Sequence, residues 1–180
     1  MNNFVLRYIS CYDNIFHFVG VVLLSGYLAL GDSLSTGYGV RPGNSFPIRF
    51  YRRLLTVYPH LSYNNLAVNG YTTSELAWLV RSPQIVAIAA NSRMFTITIG
   101  SNDLLRAVPS FLNSGSVYGS RTIIKNFKNN LYDIGNTIRG VNKNGAIKIA
   151  SIYNPLAAGE FAAYSAQGQF LIDKLNQCIY

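Results

Sequence analysis

The chain has 180 residues, 49% of them hydrophobic, which suffices for one domain with a core and excludes an intrinsically disordered protein. Lysine and arginine number 15 against 7 acidic residues, a formal net charge of +8, so weak attraction to anionic surfaces is expected. No nucleic-acid-binding motif accompanies this charge, and a nucleic acid is therefore not an expected partner.

Residues 1–26 are interpreted as an atypical N-terminal extension. The run from Phe16 to Leu30 is mostly apolar, but polar residues and glycines interrupt it, and it is shorter than the roughly 20 apolar residues of a spanning helix. A packed or frayed extension is favoured, with a signal peptide or membrane anchor as the alternative. Localisation stays open: the cytoplasm is slightly favoured over secretion or membrane association.

From Tyr27 onward, strand-like apolar runs alternate with helical patterns. The predicted strands are Tyr27–Leu30, Leu61–Val68, Met94–Ile99 and Ala146–Tyr153. Helices are predicted to begin near Ser45, Thr72, Ser82, Ser120 and Glu160. This alternation predicts an α/β fold with a central parallel sheet, built from a single domain over residues 27–180.

Three of the predicted strands run into polar segments that contain glycine. The segments are Gly31-Asp32-Ser33, Asn69-Gly70 and Gly100-Ser101-Asn102-Asp103. Right-handed crossovers bring the carboxyl ends of parallel strands to one edge of the sheet, where ligands bind. The three segments are therefore expected to converge, although dozens of residues separate them in the sequence.

Together these segments contain the parts of a serine nucleophile site. Ser33 offers a hydroxyl and its own backbone N–H, Gly70 an unobstructed backbone N–H, and Asn102 a side-chain amide. Three donors of this kind could stabilise the oxyanion of a tetrahedral intermediate. Each segment alone has a simpler interpretation, since Asp32 and Ser33 are good helix caps and the other two segments are typical turns.

The three blocks, in this order, resemble those of the GDSL esterases and lipases, also called SGNH hydrolases. The resemblance implies that Ser33 is the nucleophile, Gly70 the backbone donor and Asn102 the side-chain donor, with Asp32 and Asp103 in supporting positions. It also implies a three-layer α/β/α, flavodoxin-like fold. No metal or organic cofactor is implied.

The family's fourth block, Asp-x-x-His near the C-terminus, has no counterpart here. The chain contains only His17 and His60, and neither has an aspartate at the spacing of that motif. A fifth strand is also missing from the predicted sheet. We therefore expect the chain to be C-terminally truncated before the last strand and the catalytic histidine, which would leave Ser33 without its general base.

Three functional hypotheses remain. The first is a serine ester hydrolase acting on a short acyl ester, a lipid or an acetylated sugar. The second is a catalytically impaired or inactive binding domain that keeps the pocket but lacks the base. The third is a basic protein that binds anionic surfaces through Arg49, Arg52 and Arg53, which cluster on one predicted helix.

Overall fold

A central sheet of four parallel strands organises the chain. The structure, a computed structural model, describes residues 25–114, 117–154 and 165–180. In chain order the strands are β1 (Gly26–Gly31), β2 (Ser62–Asn65), β3 (Ser92–Thr98) and β4 (Ala146–Ile149). Their order across the sheet is β2-β1-β3-β4, and every pairing is parallel. The predicted α/β class with a central parallel sheet is confirmed.

Seven helices connect or flank these strands in the described ranges. They are α1 (Ser33–Thr36), α2 (Phe46–Leu54), α3 (Thr73–Leu79), α4 (Pro83–Ala90), α5 (Ser101–Ser114), α6 (Val117–Val141) and α7 (Ser165–Asn176). Among the described residues, no helix combines the length and the hydropathy needed to span a bilayer. Helix α5 was not expected, because Ser101, Asn102 and Asp103 are as typical of a turn as of a first helical turn.

Several predicted boundaries differ from the observed ones. Strand β2 ends at Asn65 rather than Val68, but its backbone stays paired with β1, since the Val68 N–H donates to the Gly31 carbonyl at 2.9 Å. Helix α2, predicted to begin near Ser45, begins at Phe46 and ends at Leu54. The predicted start of the last helix, at Glu160, lies outside the described residues.

Two apolar cores lie on opposite faces of the sheet, because successive strand residues point to opposite sides. Leu28 and Leu30 of β1 belong to the larger core, which takes in residues of α3, α4, α6 and α7. Tyr27 and Ala29 point the other way, into a smaller core that α2 covers with Phe50. The sheet therefore lies between two helical layers, and β1 is buried on both faces.

Glycines at the carboxyl ends of β1 and β3 allow the chain to leave the sheet where the polar segments begin. Gly31 has φ +124° and Gly100 has φ +120°, values that side-chain-bearing residues rarely adopt. A Cβ atom on Gly31 would lie 2.0 Å from the Thr98 carbonyl oxygen. The two strand ends can therefore approach each other this closely only with glycine at position 31.

Candidate active site

Ser33 is the first residue of the short helix α1, immediately beyond the carboxyl end of β1. Asp32 is the N-cap, and its carboxylate accepts a hydrogen bond from the Leu34 N–H at 3.1 Å. The helix closes after one turn at Gly37, where φ is +83°. The capping interpretation of Gly-Asp-Ser is therefore correct for Asp32, and it leaves Ser33 half-buried at the edge of the sheet.

Buried polar contacts fix the Ser33 segment to both neighbouring strands. Asp32 is only 1% exposed, and the Thr98 hydroxyl of β3 donates to its Oδ1 at 2.9 Å. The Ser35 hydroxyl lies 2.8 Å from that of Thr98 and donates to the Leu30 carbonyl at 2.9 Å. On the other side, the Asn65 amide donates to the Ser35 carbonyl at 2.7 Å. The position of Ser33 thus depends on β1, β2 and β3 together.

Gly70 lies in the segment that follows β2, and its backbone is exposed. Its φ is +79°, and no atom lies within 4 Å of the place where a Cβ would be. The preceding residue, Asn69, accepts a hydrogen bond from the Thr36 hydroxyl of α1 through its side chain. The Gly70 segment therefore contacts the Ser33 segment directly.

The first turns of α5 bring the third predicted segment against the second. The Asn102 amide donates to the Tyr71 carbonyl at 2.9 Å, which leaves its second amide hydrogen for another acceptor. Both Asp103 oxygens accept hydrogen bonds from Thr73, one from its N–H at 2.9 Å and one from its hydroxyl at 2.5 Å. The structure thus brings Ser33, Gly70 and Asn102 to one edge of the sheet on segments that contact one another.

Arg106 is a further residue of this arrangement that the motif analysis did not single out. Its guanidinium donates to the Gly70 carbonyl at 2.9 Å and forms an ion pair with Glu75 at 3.2 Å. The four-residue spacing from Asn102 places both side chains on one face of α5, and this spacing was the available signal. We call Asn102, Asp103 and Arg106 the α5 clamp, because together they hold the backbone that includes Gly70.

The order and placement of these segments agree with the comparison to protein families. Residues 29–179 match the model of the GDSL-like lipase/acylhydrolase family. The chain belongs to this family. Among curated proteins, no relative is found.

Solved structures with the same fold include lipases and esterases of low sequence identity. A lipase from a goat rumen metagenome is 22% identical with a TM-score of 0.72; the match covers 86% of this chain and 73% of that lipase. An extracellular lipase from Streptomyces rimosus is 18% identical with a TM-score of 0.59, covering 86% and 74%. An acetyl xylan esterase from Geobacillus stearothermophilus, solved as a variant, is 16% identical with a TM-score of 0.52, covering 86% and 73%.

Three carboxyl groups of this GDSL-like site have pKa values that differ from their ordinary ones. Burial raises the pKa of Asp32, although hydrogen bonds from Thr98 and from the Leu34 N–H oppose the shift. Burial likewise raises the pKa of Asp103 against the hydrogen bonds from Thr73. The Thr72 N–H lowers the pKa of Glu75, and Arg106 adds to that effect. The two aspartates are therefore the carboxyl groups of the site whose ionisation the protein disfavours.

His60 lies at the wrong end of the sheet to serve as the base of this GDSL-like site. It is exposed and precedes Ser62, which pairs with Gly26 at the amino end of β1. Ser33 follows the carboxyl end of the same strand, and five steps along a strand span about 16 Å. His17, the other histidine of the chain, lies outside the described residues.

Proposed function

We propose that this GDSL-like chain carries the nucleophile and the oxyanion donors of a serine ester hydrolase. The observation that supports it best is the contact between the Ser33, Gly70 and Asn102 segments at one sheet edge, in the order typical of the family. In this proposal Ser33 Oγ bonds to the acyl carbonyl carbon while its proton passes to a general base. The N–H groups of Ser33 and Gly70 and the Asn102 amide stabilise the resulting oxyanion.

The second half of the proposed reaction releases both products. Collapse of the tetrahedral intermediate breaks the ester C–O bond, and the departing alcohol takes up the proton held by the base. Water then attacks the acyl-serine, giving the carboxylic acid and restoring the Ser33 hydroxyl. Asp32 and Asp103 do not touch the substrate in this scheme: Asp32 positions Ser33 through α1, and Asp103 positions the Gly70 segment.

The proposed substrate is an ester with an apolar acyl group. Leu34, Val68 and Leu105 are 39%, 37% and 38% exposed, and each lies within three residues of Ser33, Gly70 or Asn102. Apolar side chains exposed around a reactive centre favour an acyl chain over a polar group. Lipid esters fit this surface best, and acetylated sugars, the substrate class named for one solved relative, are the alternative.

An ester-binding domain without turnover is the second candidate function, and the position of His60 favours it. A serine hydroxyl is a poor nucleophile at neutral pH unless a base lies within hydrogen-bond reach. Among the described residues, His60 is the one histidine and lies at the other end of the sheet, and the site carboxylates Asp32, Glu75 and Asp103 are already hydrogen-bonded to other groups. Such a domain would keep the donors and the apolar surface but hydrolyse esters orders of magnitude more slowly.

The test is hydrolysis of a short-chain aryl ester by the full chain and by two serine variants. Ser33→Ala removes the proposed nucleophile, and Ser74→Ala, at an exposed position on α3, is the matched control. Turnover that disappears with Ser33→Ala but persists with Ser74→Ala supports the hydrolase. Equal turnover in all three proteins contradicts it.

Mass spectrometry separates the two candidate functions. Acylation adds the acyl mass to the intact chain, and only Ser33 is expected to carry it. A folded chain that binds the ester but shows neither turnover nor an acyl adduct would establish the binding domain instead.

A further inference from the structure

The stretch of chain between the Ser33 segment and the Gly70 segment carries positive charge without any acidic residue. Between Asp32 and Glu75 there are four arginines, no lysine and no acidic residue. The four arginines are Arg41, Arg49, Arg52 and Arg53, and all are exposed. The ion pairs found among the described residues join Arg81 to Asp133 and Arg106 to Glu75, so in this part of the chain no carboxylate neutralises the four.

Exposed apolar side chains accompany these arginines. Tyr38 is 77% exposed, Val40 50% and Phe46 39%. Tyr38 and Val40 are presented by a tight turn in which the Val40 N–H donates to the Gly37 carbonyl at 3.1 Å. Gly37 and Gly39 both have positive φ, which favours this backbone conformation. The two side chains therefore project from a defined turn.

Helix α2 continues the same surface. Arg49 and Arg53 are one turn apart on the exposed side of α2, and the exposed Phe46 lies at the border of the face through which Phe50 enters the smaller core. The Arg52 guanidinium lies close to Gly43: a Cβ atom added to this glycine would be 3.5 Å from a guanidinium nitrogen. We call the surface made by Tyr38, Val40, Arg41, Phe46, Arg49 and Arg53 the arginine-aromatic surface.

A partner for this surface must satisfy both kinds of side chain. A soluble polyanion would neutralise the arginines but leave Tyr38 and Val40 in water. An anionic lipid interface offers phosphate groups to the arginines. The acyl region just beneath the phosphates can accept the side chains of Tyr38 and Val40, as it accepts the apolar faces of interfacial proteins. The Ser33 segment leads directly into the surface, since Tyr38 N–H donates to the Ser33 carbonyl at 3.0 Å.

We propose that the arginine-aromatic surface docks the chain onto anionic phospholipid bilayers and so places Ser33 at the lipid–water boundary. Docking is a binding property that does not require ester turnover. It can therefore succeed or fail independently of the hydrolase proposal.

The first experiment is co-sedimentation of the full chain with phosphatidylglycerol-containing vesicles and with pure phosphatidylcholine vesicles. We expect at least tenfold tighter binding to the anionic vesicles, falling as salt is raised. Removing two charges in Arg49→Gln/Arg53→Gln should weaken binding about 25-fold, because each arginine near such a surface contributes about fivefold. The matched double variant Lys125→Gln/Lys143→Gln removes two exposed charges elsewhere and should change binding less than twofold.

The second experiment tests the apolar contribution. Tyr38→Ser/Val40→Ser should weaken vesicle binding at least fivefold while leaving binding to heparin, a soluble polyanion, unchanged. Ser33→Ala should bind vesicles like the unaltered chain, and circular dichroism verifies that each variant is folded.

Three results would overturn the docking proposal. The first is equal binding to both vesicle types, and the second is an equal loss in the lysine control. The third is indifference of vesicle binding to the Tyr38 and Val40 changes, which would indicate a site for soluble polyanions instead.

Discussion

The Ser33 segment and the Gly70 segment belong to the same candidate site but are held in opposite ways. Ser33 is fixed from inside the protein, through the buried Asp32 and its contact with Thr98. Gly70 is exposed, and the residue of the α5 clamp that contacts it directly is Arg106, whose side chain is itself 59% exposed. Buried polar contacts are costly to break, whereas exposed ion pairs contribute little. Ser33 is therefore held by buried contacts, whereas the contact made to Gly70 itself is an exposed one.

Two glycine substitutions provide the largest expected contrast between the segments. In Gly31→Ala the new Cβ meets the Thr98 carbonyl oxygen at 2.0 Å on a strand buried on both faces, so we expect a loss of about 4 kcal/mol or more. In Gly70→Ala the same atom meets nothing, and only the left-handed backbone costs about 1 kcal/mol. Urea unfolding followed by circular dichroism measures both. Equal losses would show that the two segments are held alike.

Asp103→Ala should produce the next largest effect. It removes the acceptor of both Thr73 hydrogen bonds and leaves the N–H of the buried Thr73 without its partner, at a cost of about 2 kcal/mol. Asp133→Ala, which breaks only an exposed ion pair with Arg81, is the control and should cost under 1 kcal/mol. A stability loss no larger than that of the control would mean that Asp103 does not anchor the Gly70 segment.

Asp32→Asn should change how stability depends on pH. Burial raises the pKa of Asp32 above its ordinary 3.8, so the native state keeps the proton to higher pH than the unfolded state does. The free energy of unfolding therefore falls as pH rises from about 3.8 to the native pKa, by up to about 1.4 kcal/mol per pH unit. Asparagine keeps an oxygen acceptor for Leu34 and Thr98 but does not titrate. The difference between the two proteins, measured by urea unfolding, should change across this window and be constant above it.

Arg106→Gln should have the smallest effect on stability. Both of its contacts are exposed, so we expect a change of about 0.5 kcal/mol or less. If the hydrolase proposal holds, ester turnover should fall more than stability does, since the Gly70 carbonyl loses its partner. Arg81→Gln, which breaks the other exposed ion pair, should leave turnover unchanged. A loss of several kcal/mol in the free energy of unfolding of Arg106→Gln would instead show that its contacts with Gly70 and Glu75 contribute substantially to stability.

Much of the framework was predictable because its signals are local. The apolar run of β1 and the helix starts near Thr72 and Ser82 all appear in the structure as expected, the first of them with a capping box formed by Thr72 and Glu75. The convergence of three segments followed from a general property of parallel sheets rather than from any one residue. Local rules and a topological rule therefore sufficed for the placement of Ser33, Gly70 and Asn102.

What the sequence did not predict depends on contacts between distant segments. Helix α5 begins with residues equally suited to a turn, and its role as a clamp appears only when Arg106 is seen against Gly70, 36 residues earlier. The shared environment of Asp32, Ser35 and Thr98 likewise joins residues more than 60 positions apart. No periodicity or spacing encodes such pairs, so the supporting contacts of the site required the structure.

The central position of β1 has a consequence for synthesis of the chain. β1 is the first of the described strands to leave the ribosome, yet both strands that pair with it come later, the second only at Ser92–Thr98. Until then its backbone groups are open to pairing with other chains, which exposes the incomplete chain to aggregation. The hydrogen bond from Thr98 to Asp32 closes a separation of 66 residues. Ser33 can therefore reach its final position only late in folding, after more than half of the described chain has been made.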